Sequence, residues 1–76
     1  MKKNQLTQME QILLDKYGPQ LTVKQVAEAI GYSIQSVYCY LSRETFWIPM
    51  SGTHRRRRAD FRDVARYLDI RRQQAA

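Results

Sequence analysis

The sequence is poor in the residues that build disulfides and metal sites. Among its 76 residues it has one cysteine, Cys39, and one histidine, His54. A single cysteine cannot form an internal disulfide, and this pair cannot complete a zinc site. Disulfide scaffolds and self-contained zinc fingers are therefore excluded, and the composition suits a reducing cytoplasm. Aliphatic runs stop at three residues, as in Ile12-Leu13-Leu14, so we expect neither a transmembrane helix nor a signal peptide.

The chain is also short for a catalytic fold. Folding at this size hides only about 60% of the unfolded surface, which leaves little room for a deep pocket beside a core. The sequence has no phosphate-binding loop, and it has no nucleophile followed by a base at usable spacing. We therefore predict a single domain over residues 1–76 that is not an enzyme and uses no cofactor, metal or small-molecule substrate.

Acidic residues are scarce in the second part of the chain. Thirteen Lys and Arg oppose seven Asp and Glu, which gives a formal charge of +6. Residues 1–42 carry four basic and three acidic side chains, whereas residues 43–76 carry nine basic and four acidic ones. Four of the nine are consecutive, from Arg55 to Arg58. Such a basic patch attracts polyanions, with nucleic acid first and an anionic membrane second.

Capping signals and apolar periodicity predict a first helix near residues 5–17. Thr7 and Glu10 have the spacing of a capping box, in which each side chain accepts from the other residue's backbone N–H. Gly18 and Pro19 end the helix. One face of it is apolar at three- and four-residue steps, through Leu6, Met9, Ile12, Leu13 and Tyr17.

The segment 21–42 carries the strongest local signals. Thr22 and Gln25 form a second capping box, while Leu21 and Val26 occupy the positions of a hydrophobic staple. A buried stripe follows at helical spacing, made of Val23, Val26, Ala27 and Ile30. Gly31 stops this helix after two turns, and Ser33 caps another. Two short helices joined by a tight turn are typical of a helix-turn-helix.

These residues resemble the DNA-binding helix-turn-helix of excisionases, AlpA-type prophage regulators and MerR-like activators. The matching features are Leu21-Thr22-Val23, Ala27 where the helices cross, Gly31, Ser33, Val37-Tyr38 and the later Ile48-Pro49. Residues 63–68 are similar to the closing helix of the same families and to the tail of pyocin-activator-type regulators. The resemblance covers roughly residues 20–70. It implies a DNA-binding protein of a prophage or mobile element, acting as a transcription regulator or as an excisionase-type recombination directionality factor in the bacterial nucleoid.

Residues 46–59 are predicted to form a wing. Two short extended pieces around Ser51-Gly52-Thr53 favour a β-hairpin, in which Pro49 indicates an edge position. The last helix begins at Asp60 and runs to about residue 72, with Phe61, Val64 and Leu68 inward. The predicted fold is thus mainly α: a winged helix-turn-helix with an extra N-terminal helix, a short β-hairpin wing and a C-terminal helix.

The second helix of the helix-turn-helix is predicted to enter the major groove of double-stranded DNA. Gln35 is suited to pair with adenine and Ile34 to meet a thymine methyl, whereas Ser33, Ser36 and Tyr38 suit phosphate oxygens. Lys24, in the preceding helix, is placed to touch the flanking backbone. The predicted outward positions are Ser33, Ile34, Gln35, Ser36, Tyr38, Cys39 and Ser42.

Residues 34–42 contain no Lys or Arg. The resembling families often have a basic residue after the Tyr of this helix, where this chain has Cys39. We therefore expect the arginines to supply most of the affinity through phosphate contacts and counterion release, with a wing tip at His54 and Arg55 reaching the minor groove. No aromatic residue interrupts the arginines, so the wing is expected to pack poorly or to order only on DNA. The predicted contacts outside the helix are Arg43, Thr53, His54, Arg55, Arg56, Arg57 and Arg58.

Two other function classes are compatible with the sequence. One is an RNA-binding or membrane-surface module that uses the arginine run, and the other is a protein-interaction adaptor on the same fold. The role of the first helix is open as well. It either completes a thin core or carries self-association and cooperative assembly on DNA through Leu6, Met9 and Leu13.

Overall fold

Four helices and a two-stranded sheet form the part of the chain that the computed structural model describes, residues 6–53 and 56–75. The fold is mainly helical, as predicted. None of the helices in these ranges combines the length and the apolar character needed to cross a membrane. In chain order the elements are α1 (Gln8–Tyr17), β1 (Gln20–Thr22), α2 (Val23–Ile30), α3 (Ile34–Ser42), β2 (Arg58–Asp60) and α4 (Phe61–Ala75).

The helix starts follow from the local sequence. In α1 the Thr7 hydroxyl accepts from the Glu10 N–H at 3.1 Å, and the Glu10 carboxylate accepts from the Thr7 N–H at 3.0 Å. Thr22 and Gln25 repeat this reciprocal pair at the start of α2. Each box satisfies two N–H groups that have no partner within the helix. Gly31 closes α2 in the left-handed conformation, with φ 81° and ψ 24°, which a glycine adopts without strain.

The sheet corrects the predicted hairpin. β2 pairs antiparallel with β1, so that Leu21 lies opposite Ala59 and Thr22 lies opposite Arg58. Residues 46–50 form no strand, and of the expected first arm Ser51 alone pairs with Arg58, through two backbone hydrogen bonds of 2.9 Å. Pro49 has no N–H to give to a ladder, and Ile48 is instead buried in the core. The second arm therefore finds its main partner in the strand that precedes α2.

The core has two parts that meet at α2. Val26 and Ile30 belong to a larger cluster that contains Leu13 of α1 and Val64 of α4. The other stripe of α2, Val23 and Ala27, forms a smaller cluster with Val37 of α3. The side chain of Ala27 is small, so α3 can approach α2 closely at this crossing. Helix α2 is consequently buried on two faces and serves as the support on which α3 is held.

Helix α1 contributes to the larger cluster. Leu13 is buried there, and Leu6, Met9, Leu14 and Tyr17 pack around it. The Tyr17 hydroxyl also donates to the Glu28 carboxylate at 3.1 Å, which ties α1 to α2. Of the two roles considered for this helix, completion of the core is thus visible in its contacts, and assembly on DNA stays a prediction.

Helix α4 is longer than predicted. It begins after Asp60 as expected, but it continues beyond residue 72 to Ala75. The Asp60 carboxylate accepts from the Arg62 N–H at 2.8 Å and so caps the first turn, as the sequence suggested. Phe61 and Val64 are buried, together with Ala65, which the apolar pattern had not singled out.

Candidate nucleic-acid interface

The outer face of α3 is exposed and carries no charge. Ile34 and Tyr38 are 39% and 41% exposed, and Gln35, Cys39 and Ser42 are exposed beside them. Val37 on the opposite face is fully buried, with Tyr40 and Leu41 half-buried. The predicted outward positions therefore share one surface, apart from Ser36, which is half-buried.

Two of the predicted phosphate ligands are already engaged with each other. The Ser33 hydroxyl accepts from the Ser36 N–H at 3.1 Å and donates to the Ser36 hydroxyl at 2.9 Å. This arrangement is an N-cap, and it uses the hydroxyl of Ser33 to hold the first turn of α3. Ser33 and Ser36 thus serve mainly to fix the start of the helix.

Gln35 and Tyr38 present polar groups with no partner inside the protein. Among the described residues, neither the Gln35 carboxamide nor the Tyr38 hydroxyl makes a hydrogen bond or a ring contact. A carboxamide offers a donor and an acceptor side by side, which is the pattern needed for bidentate pairing with an adenine edge. The side chain best suited to read a base is therefore available to do so.

The cations near α3 come from three elements. Lys24 is exposed in the first turn of α2, Arg43 is exposed at the C-cap of α3, and Arg56 is exposed in the loop that leads to β2. Arg57 is half-buried and lines a surface groove together with Leu41 and Glu44. We call the segment 51–58 the arginine loop. Two of its residues, Gly52 and Arg57, therefore lie next to the C-terminal end of α3.

The arginine loop has a constrained start. Gly52 has φ 89°, and a Cβ atom there would lie 2.6 Å from the Arg56 carbonyl oxygen, so only glycine fits without movement of the backbone. The Arg56 N–H donates to the Thr53 carbonyl at 2.9 Å, and the Arg58 guanidinium donates to the Arg57 carbonyl at 2.9 Å. His54 and Arg55, which were predicted to form the wing tip, lie outside the described residues.

Two arginines of α4 are used inside the protein. Arg62 forms a salt bridge with Asp60, and its Nε atom lies 3.0 Å from the Asp60 Oδ1 atom. The side-chain hydrogen bonds from Arg62, followed by its backbone N–H, hold the pKa of the Asp60 carboxyl below its usual range. The Arg71 guanidinium donates to the Ile30 carbonyl at 3.0 Å and so binds the last turn of α2. No local sequence pattern reveals this partner, which lies 41 residues away.

Five aromatic rings form a cluster at the edge of α3. Trp47 lies at its centre, with ring centroids 4.8 Å from Phe46, 5.0 Å from Tyr40, 5.5 Å from Tyr32 and 5.7 Å from Tyr67. Trp47 is 39% exposed, so the cluster reaches the surface. The cluster joins the turn after α2, the end of α3 and the middle of α4. The sequence pattern alone does not predict this cluster.

Comparisons of the chain with protein-family models, with curated proteins and with solved structures gave no match. The resemblance of residues 20–70 to excisionase-like and MerR-like regulators therefore rests on the motifs described above. Across residues 6–53 and 56–75, no three His, Cys, Asp or Glu side chains come together as a group that holds a metal ion.

Proposed function

We propose that this protein binds double-stranded DNA, with α3 in the major groove and the surrounding cations on the phosphates. The observation that carries the proposal is the neutral, exposed face of α3 with Lys24, Arg43 and Arg56 on elements adjoining it. A neutral helix surrounded by cations matches duplex DNA, whose base edges are neutral and whose backbones carry one negative charge per phosphate.

The packing of α2 supports this proposal. A reading helix must be held within a fraction of an ångström, and α2 provides such a support because it is buried against both core clusters. The short connection through Gly31 sets α3 beside α2. We infer that α2 and α3 act as a helix-turn-helix, with α3 as the recognition helix.

We assign the role of a wing to the arginine loop. The Ser51–Arg58 bridge holds the two ends of the loop together, and β2 joins it to β1 just before α2. Arg57 then lies in a groove with Leu41 at the C-terminal end of α3, where Arg43 is exposed, and the exposed Arg56 precedes it in the loop. These cations would contact phosphates, which are the same at every base pair, and so would contribute more to affinity than to sequence preference.

Two biological roles fit a protein of this kind, and the motif resemblance favours both. One is a transcription regulator and the other is an excisionase-type directionality factor for a mobile element. Both act on chromosomal DNA in the bacterial cytoplasm. Cooperative assembly along DNA through α1 is a further part of the proposal. Of the residues expected to carry it, Leu13 is buried, whereas Ile12 on the same helix is exposed and can contact a second copy.

The test is selection of bound fragments from sheared genomic DNA, at near-physiological salt and with competitor DNA. We expect a short repeated motif, found near a promoter for a regulator and at an element junction for a directionality factor. Salt-sensitive binding without a motif would make the protein an architectural binder. The proposal is wrong if the protein does not bind duplex DNA but binds single-stranded RNA or anionic vesicles. It is also wrong if the protein binds none of these. The adaptor function would lead in the last case.

A further inference from the structure

Helix α3 carries two large apolar side chains on the face that is proposed to meet DNA. Ile34 and Tyr38 are 39% and 41% exposed, and they are four residues apart, so they lie one above the other on the same face. Tyr38 belongs to none of the ring contacts of the aromatic cluster among the described residues. We call this pair the apolar ridge.

The ridge stands between polar and cationic groups. No charged residue occurs from 32 to 42, and Arg43 follows at the end of the helix. Two exposed apolar side chains at the centre of a surface with cations at its edges would be costly to keep in water. This arrangement is complementary to a groove whose floor is uncharged and carries apolar groups, and whose walls are anionic.

The major groove offers one apolar group on the edges of the bases, the C5 methyl of thymine. Residues four apart are separated by about 6 Å along a helix axis, which is close to two base-pair rises of about 3.4 Å each. Gln35, next to Ile34, is suited to hydrogen-bond with adenine. One A·T pair can therefore contact both residues: its adenine pairs with the Gln35 carboxamide, and its thymine methyl packs on the apolar ridge.

We propose that the apolar ridge of Ile34 and Tyr38 reads thymine methyl groups, so that the preferred duplex presents thymines about two steps apart in the major groove. The inference rests on the proposed function and adds the chemical class of the target. It assigns the ring of Tyr38 to the floor of the groove, in place of the phosphate contact expected from its hydroxyl.

The test compares two short synthetic duplexes made only of alternating A·T pairs, one with thymidine and one with deoxyuridine at every thymidine position. This exchange removes the methyl and leaves the hydrogen-bonding edge unchanged. Alternation places thymines two steps apart on each strand. We expect the deoxyuridine duplex to bind about fourfold more weakly for each methyl in contact, measured by fluorescence anisotropy at moderate salt.

Variants separate the ridge from changes in duplex shape. Ile34→Ala and Tyr38→Ala should each bring the ratio of the two affinities towards one, because the lost partner no longer senses the methyl. Tyr38→Phe should keep the ratio, since it removes only the hydroxyl. Arg56→Ala is the matched control: it should weaken both duplexes equally.

Equal affinity of the unmodified protein for the two duplexes would overturn the inference and leave DNA binding intact. A ratio that survives in both Ile34→Ala and Tyr38→Ala would also overturn it, because the effect would then belong to the DNA. If the protein binds none of the three duplexes, that is, neither A·T duplex nor a G·C duplex tested alongside, both the proposed function and the inference are wrong.

Discussion

Helices α3 and α4 distribute their side chains in opposite ways. Helix α3 has no charged residue, and the polar groups of Gln35 and Tyr38 have no partner within the part of the chain that the structure describes. Helix α4 has four arginines, but Arg62 is bound to Asp60 and Arg71 is bound to the end of α2. The contrast teaches that the net charge of a segment does not locate its binding surface. In this molecule cations stabilise one helix and neutral groups are presented by the other.

The largest expected effect is a loss of stability when α1 is removed from the larger core cluster, to which α4 also belongs. Deletion of residues 1–18 removes Leu13 and the side chains that pack around it on the larger core cluster. Burial of one leucine alone contributes about 1.5–3 kcal/mol, a large share of the ~5–15 kcal/mol by which a small domain is stable. We expect the shortened chain to lose cooperative thermal unfolding, as followed by circular dichroism.

A shortened chain that melts like the full one and binds DNA without cooperativity would contradict this expectation. It would assign α1 to assembly on DNA instead. The matched control is Ile12→Ala, an exposed position on α1, which should leave the melting temperature almost unchanged.

The second prediction compares cations beside α3 with cations on α4. Arg43→Ala with Arg56→Ala should reduce the slope of log affinity against log salt by about 2, because each lost phosphate contact removes about 0.9 from it. Affinity for all duplex sequences should fall together. Arg66→Ala with Arg72→Ala removes the same charge from exposed positions of α4 and should change the slope little.

If both pairs flatten the slope equally, DNA contacts α4 as well, and the contrast between the two helices fails. The measurement is a titration of one labelled duplex at several salt concentrations for the unmodified protein and the two double variants.

The third prediction sharpens the role of α3. Gln35→Ala should weaken binding to the selected site by about 1–3 kcal/mol and binding to random duplex much less. Its control is Ser42→Ala, an exposed position of the same helix, expected to show a smaller difference between the two DNAs. Equal losses on both DNAs would show that Gln35 does not read a base.

The smallest effect belongs to the start of α4. Because Arg62 lowers the pKa of Asp60 in the folded protein, the ionised carboxylate stabilises the fold at pH values above the unfolded pKa of about 3.9. This contribution is lost as the pH falls through the lower, folded value. The pair is largely exposed, so Asp60→Asn should cost less than about 1 kcal/mol at neutral pH.

The difference in unfolding free energy between Asp60→Asn and the unmodified protein should vanish in acid, as measured by urea denaturation at several pH values. A difference that stays constant from neutral to strongly acidic pH would show that the charge of Asp60 is not its cause. DNA affinity should be the same for both proteins, since Asp60 acts within α4.

The helices could be predicted because their signals are local. Thr22, Gln25 and Gly31 fix the limits of α2 within a few residues of themselves, and the period of the apolar stripe fixes which side chains of α3 face outward. The structure places most of the predicted outward side chains on one exposed face. Their contacts with DNA stay a prediction.

The parts that were missed depend on distant partners. β1 has only three residues, too few for a recognisable alternation, and its pairing with β2 joins Thr22 to Arg58, which follows only after α2 and α3 in the chain. Of the expected hairpin around Ser51-Gly52-Thr53, the Ser51–Arg58 bridge forms, but Ile48 is buried in the core and does not lie on an edge strand. The hydrogen bond from Arg71 to Ile30 and the five-ring cluster likewise have no signature in neighbouring residues.

The position of Trp47 gives the protein an internal fluorescent reporter. It is the single tryptophan of the chain, and its ring contacts Tyr32, Tyr40 and Tyr67 from three parts of the fold. Separation of α3 from α4 would change the environment of the indole and the energy it receives from the three tyrosines. Fluorescence emission from Trp47 therefore reports whether the proposed recognition helix α3 is packed against the rest of the fold, without a label and without DNA.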